Sequence, residues 1–172
     1  MLELSKSEYA SFFQPYIDIL DGNSKGIIYN LEDSLNTALL ILEDISKAKQ
    51  LYKYEVDKWT IKELVQHIID SERVFGYRAL TFSRNDTTPL PGFDENQFVQ
   101  YSNANDRSYG ELLEELKVVR LSTILLFKSF DIADFEKVGV ASGKSMSLKA
   151  LGYIISGHLL HHLKIIEERY LI

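Results

Sequence analysis

Three of the chain's four histidines lie close together, as His158, His161 and His162 in the run GHLLHH. The fourth, His67, lies in KWTIKELVQHIIDSERVFGYRAL. Residues i and i+4 of a helix share a face, so His158 and His162 point the same way. At about 100° of rotation per residue, they join a stripe with Leu148, Leu151, Ile155, Leu159 and Ile166, while His161 sits on its flank beside Ile154 and Ile165. Two imidazoles on an apolar stripe need partners, because an unpaired buried polar group costs roughly 1–3 kcal/mol. Core hydrogen bonds are one answer and a metal ion is the other. The metal gains weight if a third histidine meets the pair from a facing helix. His67 is the candidate. On helical spacing it groups with Leu64, Ser71 and Phe75 at the edge of an apolar face, where a bundle seam lies. Three histidines with an open position are a known catalytic metal arrangement.

Such a cluster needs long helices to hold it, and the sequence supplies four. Ile28, Leu31, Leu35, Leu39, Leu42 and Ile45 recur at three- and four-residue steps and predict a first helix over 27–49. Thr60 with Glu63 reads as a capping box opening a second helix that runs to about Phe82, with Trp59 before the cap as a hydrophobic staple. Ser108 with Glu111 opens a third, marked by Leu112, Leu113, Leu116, Val119, Ile124 and Phe127. Ser147 caps the fourth, which carries GHLLHH. Between helices 2 and 3 lies the long stretch 83–107, holding two of the three prolines and a turn or two of helix at DENQFVQY. A connection this long is uncommon inside a compact domain. It is long enough to cross the bundle and let helices 2 and 3 run parallel, a known class. Residues 130–147 read as a connection and DGNSKG (21–26) as a loop. In the aromatic segment 5–20, Ser5 and Glu8 form a capping box and Pro15 breaks or bends the helix, giving a lid on the bundle end. The fold class is therefore all-α: a four-helix bundle with one long crossover and a short N-terminal segment packed on it, a single domain over 1–172.

Composition narrows the function. The net charge is −6 with no basic run, which excludes a nucleic-acid footprint and an acidic membrane surface as partners. There is no cysteine, hence no disulfide framework, no thiolate zinc site and no cysteine nucleophile. No apolar run is long enough to span a bilayer, and MLELSKSEYA lacks the pattern of a signal peptide. The expected location is the cytoplasm.

Read in order, Trp59-Thr60-x-x-Glu63-x-x-x-His67, then Asp70-x-Glu72-Arg73, then PLPGFDENQFV (89–99) and GHLLHH (157–162) form a set of motifs. With them the chain resembles the DinB-like superfamily over nearly its whole length. That family is a group of four-helix bundles that includes metal-dependent hydrolases and thiol S-transferases, named for damage-inducible expression. The resemblance implies one divalent metal, zinc or nickel, held by His67, His158 and His162, with His161 beside them either supporting the ligands from behind or structural. Imidazole suits either metal. It also implies a transferase whose nucleophile is a low-molecular-weight thiol attacking an electrophilic substrate. The alternatives are a metal-dependent hydrolase of an amide or ester, and a non-catalytic stress-related binding module. Homodimers are common among such relatives.

Other residues have two readings each. Asp70 is a carboxylate behind a ligand histidine or a general base, or else the partner of Arg73. Asp94, in PLPGFDE, lies near the metal at a pocket mouth, or belongs to a loop clamped over the bundle. Glu72 and Arg73 read as an exposed or interhelix ion pair. Arg78 and Arg84 steer an anionic co-substrate or make surface salt bridges. Tyr153 donates to a substrate or belongs to the core, and Trp59 reads as packing.

Overall fold

Residues 4–20 and 25–172 are described by a computed structural model. In chain order its helices are α1 Gln14–Asp18, α2 Ile27–Glu43, α3 Ile61–Ser83, α4 Glu95–Gln100, α5 Tyr109–Lys128 and α6 Leu148–Ile165, with a hairpin of β1 Val138–Ala141 and β2 Lys144–Ser147 before α6. The starts of α3 and α5 follow from local chemistry. Thr60 Oγ1 accepts the Glu63 amide at 3.1 Å while Glu63 accepts the Thr60 amide at 2.7 Å. Ser108 and Glu111 exchange the same two bonds at the start of α5, and Ser147 Oγ accepts the Ala150 amide at 2.9 Å at the start of α6. Each satisfies amides that a helix start leaves unpaired. The first long helix stops at Glu43 and not at Lys49. Asp44 and Ser46 follow, residue types whose side chains compete with the helical backbone.

Side-chain pairings fix the helix directions. Lys62 donates to the Arg107 carbonyl, Arg107 to Gln66, Arg73 to Glu115 and Arg120 to Glu72. The numbers rise together, so α3 and α5 run parallel, as the long crossover predicts. Tyr109 reaches the Leu42 carbonyl and Arg120 the Leu31 carbonyl, so α5 opposes α2. Tyr170 reaches the Trp59 carbonyl, His162 meets His67 and His158 meets Phe75, so α6 opposes α3. The main packing pairs are α3 with α5, α2 with α6, α3 with α6 and α2 with α5. The ring therefore reads α2, α5, α3, α6, and the successive helices α2 and α3 lie across a diagonal.

The connections are more ordered than the sequence pattern implies. Residues 138–147, expected as plain connection, form a two-stranded antiparallel sheet pairing Val138 with Ser147 and Ala141 with Lys144. Its turn is Ser142-Gly143, both with positive φ (54° and 70°), the conformation that closes two-residue hairpins. A Cβ at Gly139 would overlap the Phe82 ring, so glycine lets β1 lie directly on α3. The crossover adds itself to this sheet: the Leu90 amide donates to the Val140 carbonyl at 2.9 Å and the Ser142 amide to the Leu90 carbonyl at 3.1 Å.

At the N-terminus, Ser5 and Glu8 do form a capping box. Pro15 does not break a helix; it sits in the first turn of α1, where its missing N–H is no loss. Helix α1 packs along α6, and a Cβ at Gly157 would overlap the Tyr16 carbonyl oxygen. Of the loop expected over 21–26, residues 21–24 lie outside the described residues.

Two apolar clusters fill the bundle, one around Leu31, Phe127, Leu151 and Ile155, the other around Leu42, Ile68, Leu116 and Leu163. A polar layer crosses between them. In it Arg120, with no exposure, binds both Glu72 oxygens at 2.6 and 2.9 Å, the Leu31 carbonyl at 3.0 Å and Ser34 Oγ at 2.6 Å. Glu72 is therefore the partner of Arg120, and the pairing of Glu72 with Arg73 does not form. Arg73 binds Glu115 at 2.6 Å and lies 3.6 Å from Asp70. No described helix is long and apolar enough to cross a membrane.

Candidate metal centre

The histidines occupy the same polar layer. His67 comes from α3, and His158 and His162 come from successive turns of α6. Their Nε2 atoms form a triangle with edges of 3.2, 3.2 and 3.1 Å. A neutral ring nitrogen is either donor or acceptor, so three mutual contacts always leave one like pair facing itself. A cation removes that conflict by accepting three lone pairs at once. An ion about 2.0–2.1 Å from each nitrogen separates its ligands by roughly 3.0–3.4 Å, which matches the triangle. All three side chains are buried.

Burial also sets their charge. It pulls the His67 pKa from 6.5 to about 4. His158 falls well below its ordinary value, first through burial and then through repulsion from His67, His161 and Arg120. His162 falls in the same way, with His158 and His67 adding to burial. The three rings are neutral at pH 7, the form that ligates metal. The edge of the Tyr16 ring packs on His158 at 5.4 Å, and Trp59 lies 4.8 Å from His67. The Nδ1 of His162 is buried without a hydrogen-bond partner. His161 stands outside the triangle, half-buried, with Tyr16 5.3 Å away on one side and His162 on the other.

All three histidines line one cavity of about 310 Å³. The N-terminal segment gives it Phe12, Phe13 and Tyr16; the crossover gives Phe93 and Glu95; the hairpin gives Ser142 and Lys144. Ser71, Phe75 and Arg78 complete the α3 wall. Asp70 and Asp94 do not line it. Asp70 accepts from Gln66 at 2.9 Å and borders a separate groove with Arg73 and Tyr101. Asp94 caps α4, accepting the Asn96 and Gln97 amides at 3.0 and 3.1 Å. The carboxylate that reaches the cavity is the next residue, Glu95. A capping reading of DENQ would have found it, because an N-cap aspartate turns its own side chain back onto the helix. Arg78 lines the cavity; Arg84 does not, and its Nη1 donates to Ser83 Oγ at 3.2 Å. Tyr153 is buried in the core, as read from its helical position. Trp59 packs too, but on a cavity wall and against His67.

The sequence pattern of the DinB superfamily matches residues 30–166. The chain belongs to the DinB superfamily. Among solved structures, this DinB-superfamily chain is similar to YfiT from Bacillus subtilis, described as a probable metal-dependent hydrolase with an unusual four-helix bundle topology. The TM-score is 0.74 at 16% identity, covering 98% of this chain and 89% of YfiT. At that identity the likeness establishes the fold. No curated protein matches the sequence.

Proposed function

We propose that this DinB-superfamily protein is a metal-dependent enzyme in which His67, His158 and His162 hold one divalent ion, zinc or nickel, beside a small-molecule cavity. The observation that carries this reading is the triangle of neutral Nε2 atoms, no edge longer than 3.2 Å, on the wall of that cavity. A bound ion of this kind lowers the pKa of water towards neutrality or deprotonates a thiol outright. The reaction is transfer of a low-molecular-weight thiol to an electrophile. The chain has no cysteine, so the thiol is a co-substrate. Phe12, Phe13, Phe75 and Phe93 give the electrophile an apolar wall.

A second reading, hydrolysis of an amide or ester, draws support from Glu95. It is the one carboxylate residue among those lining the cavity, and a carboxylate there would serve as a general base. The description of YfiT points the same way. Neither Asp70 nor Asp94 serves here, since each is engaged outside the cavity.

The test begins with elemental analysis of protein purified without chelator or tag nickel. About one zinc or nickel per chain is expected in the wild type. His67→Ala, His158→Ala and His162→Ala should each lose it, while His161→Ala keeps it. Equal loss in all four would overturn the ligand assignment. Turnover of a thiol with an epoxide or halide then selects the transferase, and turnover of an ester with water alone selects the hydrolase. Stoichiometric metal with neither activity would leave a binding module.

A further inference from the structure

The cavity has a second polar end that the reaction above does not use. On α3, His67, Ser71, Phe75 and Arg78 follow at three- and four-residue steps, and all four line the cavity. The row starts at the imidazole triangle and ends at a guanidinium only 3% exposed. Among the described residues no carboxylate pairs with it. Its Nη2 donates to Ser142 Oγ at 3.0 Å and to the Pro91 carbonyl at a long 3.4 Å, and its Nε is buried with no partner. The Oγ of Ser71, midway along the row, is also buried and unpartnered. Arg120 shows what the same fold does for a structural arginine: two carboxylate bonds, a carbonyl and a hydroxyl.

Arginine keeps its proton in proteins, so the Arg78 end of the cavity carries a buried positive charge that no carboxylate among the described residues neutralises. Lys144 adds a second cation to the wall, its amino group 5.4 Å from the Phe12 ring centre. Glu95 is the one carboxylate among the lining residues. The Phe75 ring is near both ends. It lies 5.7 Å from the guanidinium carbon and 5.5 Å from the His158 ring.

We infer that Arg78, with Ser142 and Lys144, is the subsite for a substrate carboxylate, so that the enzyme acts on small organic acids. The apolar body of the substrate lies along Phe75 and Phe93, its carboxylate meets Arg78, and its reacting group faces the histidines. Guanidinium and carboxylate match in geometry as well as charge. This rests on the reading of the cavity as the substrate site, and it makes no use of the metal. Arg78 also borders a neighbouring groove with Tyr77 and Phe98, and its bonds to Pro91 and Ser142 tie the crossover to the hairpin. A purely structural clamp is the competing role.

The single tryptophan, Trp59, lines this cavity, so its fluorescence reports occupancy. Metal-free protein is titrated with phenylacetate and with phenylacetamide, which share a shape and differ in charge. The acid should bind at least about tenfold more tightly to the wild type. That preference should vanish in Arg78→Gln, which keeps a donor towards Ser142, and should largely survive in Arg78→Lys. Lys144→Gln should weaken acid binding a few-fold. Equal binding of acid and amide, no binding of either, or a preference that survives Arg78→Gln would each overturn the subsite. Should Arg78→Gln fail to fold, the wild-type Arg78 Nε–H resonance decides: it must shift with the acid and stay still with the amide, and any other pattern sinks the proposal. Acid binding by a chain that takes up no metal would remove the metal reading and leave the subsite standing.

Discussion

His67 is neutral in the folded chain because burial holds its pKa near 4, against 6.5 for the free side chain. Between those values the unfolded chain binds a proton that the folded chain refuses. Stability of the metal-free protein therefore falls as pH drops from about 6.5 to about 4. The loss reaches on the order of 3 kcal/mol for His67 alone, and His158 and His162 act in the same direction. Urea unfolding of wild type and His67→Gln across that range checks this: the substitution should flatten the slope, and parallel curves would mean His67 does not titrate there. The histidine trio was legible in the sequence because i, i+4 spacing is a local property and His67 was the one histidine left to meet it. Glu95 was not, because the choice between Asp94 and Glu95 turns on a one-residue capping decision. The Glu72–Arg120 pair was not, because its partners lie on different helices.

Among the elements, α1 owes its seat on α6 to Gly157. Alanine there gains about 1 kcal/mol of helix propensity, but its Cβ would overlap the Tyr16 carbonyl, which belongs to rigid backbone. Gly157→Ala should therefore be net destabilising, by about 1–3 kcal/mol in chemical denaturation. A stabilised variant would show that α1 does not dock as described. The Glu72–Arg120 pair joins α3 to α5 and, through Leu31 and Ser34, to α2. Arg120→Leu alone strands a buried carboxylate and should cost about 3–5 kcal/mol, whereas Glu72→Met with Arg120→Leu should recover most of it. Equal stability of the single and double variants would refute that account. Helix starts were legible because Thr60, Ser108 and Ser147 act within three residues of themselves. The hairpin was missed because its strands are four residues each and its pairing with Leu90 is long-range.

For the whole molecule, the three clustered histidines join the antiparallel helices α3 and α6, so an ion held by them would tie the two together. An ion that binds the folded chain alone adds RT ln(1 + [L]/Kd), about 2.7 kcal/mol at a hundredfold excess over Kd. For a chain of this size that raises Tm by roughly 5–10 °C. Scanning calorimetry with and without added zinc should show the rise in wild type and its absence in His162→Ala; the same rise in both would place the binding elsewhere. The topology has a further consequence. The imidazoles stand on two long helices whose packing the core dictates, while much of the cavity wall hangs on three connections: the N-terminal segment, the crossover and the hairpin turn. On the proposed function, the centre and the residues that select what it acts on are thus carried by different stretches of chain. If the cavity is the substrate site, insertions and substitutions in the connections would change what it accepts while the histidine geometry stays fixed, and grafting those connections between bundles of this shape would be a route to new specificities on an unchanged centre.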